Sequence, residues 1–157
     1  MSAPPEKYLA EEIKRMFGDK VLDLKAPRKR RLFVTVSPSD YKELMKYLAE
    51  SLRITHISTI TGADVGAKIE VMPHLFGLGV ELTVKTMVPK DKPELDSVTD
   101  IYPGAVLYER EVHDLLGVVF KGHPDLSRLI LPEKWPEGVY PLRKDYKAQQ
   151  PEPIRKG

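Results

Sequence analysis

The chain has 157 residues, 41% hydrophobic and 31% charged, with 25 Lys and Arg against 23 Asp and Glu, four His and no Cys. That is one domain's worth of chain, and a chain of this length buries about two thirds of its unfolded surface, so it needs no disulfide or metal staple to fold. Without cysteine there is no thiolate, which excludes a Cys-held iron–sulfur cluster, a Cys-ligated zinc or nickel–iron centre and a thiol nucleophile.

A formal charge of +2 provides no global attraction to nucleic acid or anionic lipid. The start, Met1-Ser-Ala-Pro-Pro-Glu-Lys7, lacks the apolar core of a signal peptide, and no later stretch approaches the roughly 20 apolar residues that cross a bilayer. The expectation is an intracellular chain, soluble in itself, that can sit at a membrane through partners.

The spacing of Leu9, Ile13, Met16 and Phe17, with Pro5 near the start and Gly18 beyond the end, predicts a helix over 5–17. Val21 to Leu24 and Leu32 to Val36 read as two strands joined through the basic stretch Lys25 to Arg31. Ser37-Pro38-Ser39-Asp40 reads as a helix start, with Ser37 as cap, Pro38 at the first position and Asp40 completing a capping box. Tyr41, Leu44, Met45, Leu48 and Leu52 then form one apolar face.

Arg53 to Gly62 is extended and rich in β-branched residues, and Lys68 to His74 and Gly79 to Val88 predict two further strands. In the last of these, Val80, Leu82, Val84, Thr86 and Val88 alternate with Glu81, Thr83 and Lys85, one face buried and one wet. Phe76-Gly77-Leu78-Gly79 is suited to a hairpin turn. The order helix, two strands, helix, three strands predicts an α+β domain, a two-layer arrangement with a mixed or antiparallel sheet covered by helices on one face.

Nine of the 14 prolines fall between Pro89 and Pro153, which argues against more sheet there. One helix is predicted within Pro103 to Leu116, stopped by Gly117. The expected division is an α+β domain over 1–88 and, over 89–157, a helix with an extended docking segment. That segment holds Phe120, Leu126, Leu129, Ile130, Leu131, Trp135, Tyr140 and Leu142, much apolar surface with little capacity for regular structure, so a partner surface is its natural complement. Gln149 to Gly157 reads as a frayed tail.

Glu109-Arg110-Glu111-Val112-His113-Asp114 places Glu109 and His113, and Arg110 and Asp114, four apart on one helix, where the second couple can pair. Glu109, His113 and His123 are a candidate metal or acid/base group, against the ordinary reading of a polar or ion-pairing helix face. His56 and His74 lie in strand-like runs and read as structural imidazoles. Gly77-Leu78-Gly79 lacks the rest of a nucleotide loop. Arg28, Lys29, Arg30 and Arg31 form a basic cluster whose ordinary reading is a solvated turn. A small RNA- or anionic-lipid-binding module using Arg28 to Arg31 is the rival function.

Ser97-Val-Thr-Asp-Ile-Tyr-Pro103, Tyr108-Glu-Arg-Glu-Val-His-Asp-Leu-Leu-Gly117, Phe120, Gly122-His-Pro-Asp-Leu126, Arg128, Leu131-Pro132 and Tyr140-Pro-Leu-Arg-Lys-Asp-Tyr146 follow one another in order. Together they resemble the signature of the 30 kDa subunit family of respiratory complex I, the NADH dehydrogenase of respiratory chains. The family also includes counterpart subunits of membrane-bound hydrogenases and other ferredoxin-linked complexes. A departure is Ser127, where the family usually has Arg, and it bears on one partner salt bridge.

The resemblance implies a non-catalytic structural core subunit of the peripheral arm of a membrane-bound oxidoreductase that couples electron transfer to ion translocation. It implies no cofactor in this chain, with iron–sulfur clusters, and nickel–iron as a further option, in partner subunits. The implied partners are a large hydrogenase-related subunit, a small iron–sulfur subunit and, through the complex, a membrane arm. The protein would then be peripheral on the cytoplasmic face of the membrane, part of a hetero-oligomer, with no nucleic acid bound.

By the same resemblance Glu109, Arg110, Glu111 and Asp114 form ion pairs that fix the helix against partners or its own tail. His123, Pro124 and Asp125 shape the turn that redirects the chain, Arg128 and Trp135 join the partner interface, and Arg143, Lys144 and Asp145 anchor the tail on the large subunit. The short form and a Lys/Glu-rich surface lean toward a hydrogenase-type or archaeal complex.

Overall fold

Leu9, Ile13 and Phe17 recur every fourth residue of α1 (Pro5–Phe17) and are buried as one stripe, while Met16, on the flank of that stripe, stays 51% exposed, contrary to the expectation that it joins the core. The computed structural model describes residues 3–148, so the predicted frayed tail lies outside the described residues. A short 3-10 turn, Gly18–Lys20, leads into β1 (Val21–Arg28) and β2 (Arg31–Val36).

β1 runs further than predicted and takes in most of the basic stretch. It tolerates Pro27 because it is an edge strand and because Pro27 falls in an irregularity between Lys25 and Arg28, where no ladder donor is required. α2 (Pro38–Glu50) follows, with Tyr41, Leu44, Met45 and Leu48 fully buried, the last three each contributing about 1.5–3 kcal/mol of burial. The predicted capping box does not form: the Ser37 hydroxyl donates to the Asp40 carboxylate at 3.0 Å instead of bonding the helix backbone.

β3 (His56–Asp64), β4 (Lys68–Gly77) and β5 (Val80–Pro89) complete a five-stranded sheet of order β1-β2-β5-β4-β3. β2 and β5 are parallel and the other neighbours antiparallel, so the sheet is mixed and the α+β expectation holds. The β4–β5 hairpin turns at Leu78 and Gly79, both at positive φ, as the twist of a two-residue hairpin demands.

Gly62, Val71 and Thr86 sit side by side across β3, β4 and β5, and α3 (Ala105–Leu116) packs on that face. A Cβ on Gly62 would lie 2.4 Å from Leu116 Cδ1, so the missing side chain is what lets the helix approach the strand. The opposite face carries Phe33, Lys85 and His74, whose ring bridges three strands through Thr61 at 2.8 Å and Thr83 at 2.9 Å. Thr83, expected on the wet face, is therefore buried. His56 is exposed rather than set among apolar neighbours.

The proline-rich half does contain sheet, contrary to expectation. β6 (Glu94–Asp96) and β7 (Val119–Lys121) form a parallel pair of three residues each, short enough to fit between Pro93 and Pro103 and beyond α3. Leu95, Val98, Tyr102, Val112 and Phe120 share one apolar cluster with Val34, Tyr41 and Val84.

Candidate docking site around the signature helix

α3 begins after Gly104 and ends at Gly117, whose φ of 81° is left-handed and whose N–H bonds the His113 carbonyl at 2.9 Å. Its charged residues divide between two unlike environments. Glu109 is fully buried, and burial pushes its carboxyl up to about 7 against the opposing donation of the Ser97 hydroxyl at 2.6 Å and the Val98 N–H at 3.2 Å. Tyr102, also buried, donates its hydroxyl to the Ile54 carbonyl at 2.8 Å, and the Tyr41 hydroxyl has no hydrogen-bond partner among the described residues.

Asp114 faces the segment after β7. One carboxylate oxygen, Oδ2, accepts the N–H groups of Leu129, Ile130 and Leu131 at 3.0, 2.8 and 3.0 Å. Burial raises its pKa, but those three donors and the nearby His113 outweigh it and hold the carboxyl below its ordinary value. Arg110, expected to pair with Asp114, reaches the same segment independently: Nε donates to the Ser127 carbonyl at 3.1 Å, and Nη2 to the Ser127 hydroxyl and the Arg128 carbonyl. The Ser127 hydroxyl thus takes part in holding Arg110.

The turn Gly122 to Ser127 is built as its residues suggest. His123 Nε2 lies 2.9 Å from the Val106 carbonyl and Nδ1 accepts the Asp125 N–H, so the neutral ring carries its proton on Nε2. Asp125 accepts the backbone N–H and hydroxyl of Ser127, which hold its carboxyl below the usual range, and the exposed Pro124 lies between them in sequence. Arg128 donates to the Pro132 and Glu133 carbonyls, and the Trp135 indole to the Val139 carbonyl at 2.8 Å. Glu109, His113 and His123 do not converge: His113 Nδ1 is bonded to the Val118 carbonyl at 2.8 Å, Glu109 to Ser97, and Glu111 is exposed.

The chain then returns to the end of α3. Leu142 N–H donates to the Leu115 carbonyl, and Arg143 Nε to the Leu116 carbonyl at 2.8 Å while its guanidinium stacks 4.6 Å over the Tyr140 ring. A cation on the last carbonyls of a helix also suits its dipole. A second carboxylate hub, Asp64 at the end of β3, accepts the Lys144 and Gly66 N–H groups and the Lys90 ammonium, which also reaches Asp145 at 3.3 Å. Lys90 first, then the backbone donors, hold the Asp64 carboxyl far below its ordinary value. Arg143, Lys144 and Asp145 are thus engaged within the chain.

Gly117 is needed twice, for its left-handed φ and because a Cβ there would lie 2.6 Å from the Tyr140 ring. Gly117→Ala is expected to cost about 1–2 kcal/mol and to lower the melting temperature by several degrees, measurable by thermal denaturation.

Sequence reasoning missed Asp64, Lys90 and Ser97. Asp64 and Lys90 carry no motif, whereas Ser97 opened the first signature segment and could have been read as a partner for a carboxylate. Together these bonds bind residues 122–146 as a strap over α3. The strap leaves Leu129, Ile130 and Leu142 at 40%, 52% and 55% exposure, and beside it Trp135, Tyr140 and Tyr146 line an open cleft of about 650 Å³.

Comparison with known proteins matches residues 34–152 to the family of the respiratory-chain NADH dehydrogenase 30 kDa subunit. The chain is 34% identical to the membrane-bound hydrogenase subunit beta of Pyrococcus furiosus over 95% of its own length and 90% of that protein. It is 37% identical to a subunit of the F(420)H(2) dehydrogenase of Methanosarcina mazei over 75% of its length and 77% of that protein. Its fold superposes with a TM-score of 0.79 and 31% identity on a chain of the membrane-bound sulfane sulfur reductase (MBS), an archaeal respiratory membrane complex, covering 90% of this chain and 85% of that one. These relatives are subunits of complex I-like and hydrogenase-related membrane complexes, and no helix among the described residues is long and apolar enough to cross a membrane. With residues 34–152 matched to its model and a relative 34% identical over 95% of the chain, the chain belongs to the 30 kDa subunit family of respiratory complex I.

Proposed function

We propose that this chain is a structural core subunit in the peripheral arm of a membrane-bound oxidoreductase, holding redox-bearing partners in register while performing no redox step itself. The partners are a large hydrogenase-related subunit and a small iron–sulfur subunit, at the cytoplasmic face of the membrane, in a complex that couples electron transfer to ion translocation. Iron–sulfur clusters, and nickel–iron in a hydrogenase-type complex, belong to those partners, since this chain has no thiolate to offer.

The observation that carries the reading is the strap. Arg110, Asp114 and Asp64 hold it to the domain by its backbone, and its own Arg143 ties it to the Leu116 carbonyl, which turns Leu129, Ile130 and Leu142 outward as fixed apolar side chains. A preorganised apolar loop loses little entropy on docking, which is what a permanent interface selects. Partner-interface roles follow for Arg110, Asp114, His123, Pro124, Asp125 and Arg128 as the residues that shape and hold this surface, while Glu109, buried against Ser97 and Val98, fixes the helix from beneath. Glu111, Trp135, Arg143, Lys144 and Asp145 border it.

Leu129→Ser with Ile130→Ser tests the proposal without touching the core. The tagged variant is expected to melt at the wild-type temperature and to recover less than about a tenth of the large and small subunits from cell extract, as loss of two central apolar contacts implies. Equal recovery by mass spectrometry would show that the strap is not the docking surface.

A further inference from the structure

The basic cluster Arg28 to Arg31 is not a loose turn, and it lies at the far edge of the sheet from the strap. β1 and β2 close on Lys29 and Arg30, and the Arg30 carbonyl accepts the Glu81 N–H at 2.9 Å, which locks this hairpin end beside the β4–β5 hairpin. Between the two hairpins lies a hollow of about 300 Å³ lined by Arg28, Lys29, Arg30, Arg31, Phe76, Gly79 and Glu81, the one carboxylate among them being Glu81. Arg31 is paired with Glu81 and Lys25 with Asp23, but Arg28, Lys29 and Arg30 have no carboxylate within salt-bridge reach among the described residues. Phe76 and, at the neighbouring tip, Leu78 are half exposed.

This arrangement works against the stability of the isolated hairpin. Arg28 stands directly opposite Arg31, a like-charge cross-strand pair, and Arg30 occupies a left-handed conformation, φ 59°, that favours Gly or Asn. Local cost at a surface hollow points to a ligand that repays it.

We propose that this hollow receives an acidic segment of a neighbouring subunit, its carboxylates meeting Arg28, Lys29 and Arg30 and an apolar side chain resting on Phe76. The inference rests on the chain being part of a multi-subunit complex. A protein occupant is favoured because Phe76 walls one side of the hollow beside three cations without carboxylate partners, a surface that takes an inserted apolar side chain together with flanking carboxylates. A polyanion such as RNA would in addition draw on a broad positive field, which a net charge of +2 does not supply.

The complex purified through the tagged full-length chain is treated with a carbodiimide that joins amines to carboxylates, and cross-linked peptides are read by mass spectrometry. Lys29 is expected to join an Asp or Glu of another subunit. Arg28→Glu with Arg30→Glu is expected to lower partner recovery at physiological salt about tenfold or more, in line with charge reversal at an interface. Arg30→Gly is expected to raise the melting temperature while weakening partner recovery, an outcome that a purely structural turn would not produce.

Cross-links of Lys29 confined to its own chain, or unchanged recovery by the charge-reversed variant, would overturn the proposal while leaving the strap reading intact. Binding of the wild-type chain to phosphatidylserine vesicles or a poly-uridine RNA that depends on Arg28 and Arg30, with no Lys29 link to protein, would overturn it in favour of that ligand. Failure of the wild-type chain to recover any partner would overturn both readings.

Discussion

Replacing Glu109 by Gln is expected to leave the chain folded and to abolish a loss of stability that the wild type shows as pH rises from about 4.5 to about 7. Burial raises the Glu109 carboxyl from an ordinary value of 4.5 to about 7, with Ser97, Val98 and Lys42 opposing the rise and Asp100 adding to it. In that window the folded state holds a proton that the unfolded state has released, so unfolding loses protons and stability falls with pH. The full effect is at most about 3 kcal/mol once the carboxyl ionises inside the core.

The amide of Gln reproduces the neutral acid. Its carbonyl faces the Val98 N–H, and its amino group donates to the Ser97 oxygen, which can turn its own proton to Thr99 Oγ1 at 2.9 Å. His74 acts in the opposite sense, because burial first and the Arg31 charge second hold its imidazole below the ordinary value, and its contribution is lost as pH falls. The diagnostic quantity is therefore the difference between the wild-type and Glu109→Gln stability curves, measured by urea denaturation from pH 4.5 to 8. Parallel curves would mean that Glu109 is ionised in the fold. Glu109→Ala, which orphans the Ser97 and Val98 donors and opens a cavity, is expected to cost about 3 kcal/mol near pH 4.5, a deficit that narrows toward pH 8 as the wild type loses its own stability.

Asp114→Ala is expected to release the strap while leaving the sheet folded. Three N–H groups lose a shared charged acceptor, each such bond contributing about 1.5–3 kcal/mol where water is kept out. Leu129 and Ile130 are exposed, so water replaces part of that loss, and a local destabilisation of about 2–3 kcal/mol is the net expectation.

Hydrogen exchange at residues 129–131 should accelerate roughly 30-fold or more, and partner recovery should fall as far as in the Leu129 and Ile130 double variant. Unchanged exchange at these three amides would place the strap's anchor elsewhere. Asp114→Asn keeps one oxygen of the same shape without the charge and is expected to fall between. Because the folded Asp114 carboxyl is held below its ordinary value, its contribution is full at neutral pH and is lost as pH drops below about 4.

α2 was legible because its apolar residues recur at helical spacing within 13 residues, and the Leu78-Gly79 turn because its chemistry is local. β1 was read too short, since Pro27 and the charges around it argue for a loop unless one knows that the strand lies at an edge. β6 and β7 escaped because three-residue strands among prolines leave no periodicity to count. At the site, helical spacing suggested that Arg110 would pair with Asp114. Both instead turn to the strap, where backbone donors and carbonyls compete successfully with an exposed ion pair worth only about 0.5 kcal/mol.

The sequence by itself determined the α+β class, the elements with strong local pattern, the absence of any thiolate and, through the order of residues from Ser97 to Tyr146, the family. Only the tertiary structure decided which charges are inside. Ser97 meets Glu109 and Asp64 meets Lys144 across 12 and 80 residues of chain, and whether a carboxylate is desolvated or capped by N–H groups depends on elements that no local pattern brings together. The same separation explains the basic hollow, which in sequence is a run of four cations and becomes a lined cavity when the β4–β5 hairpin brings Phe76 to it.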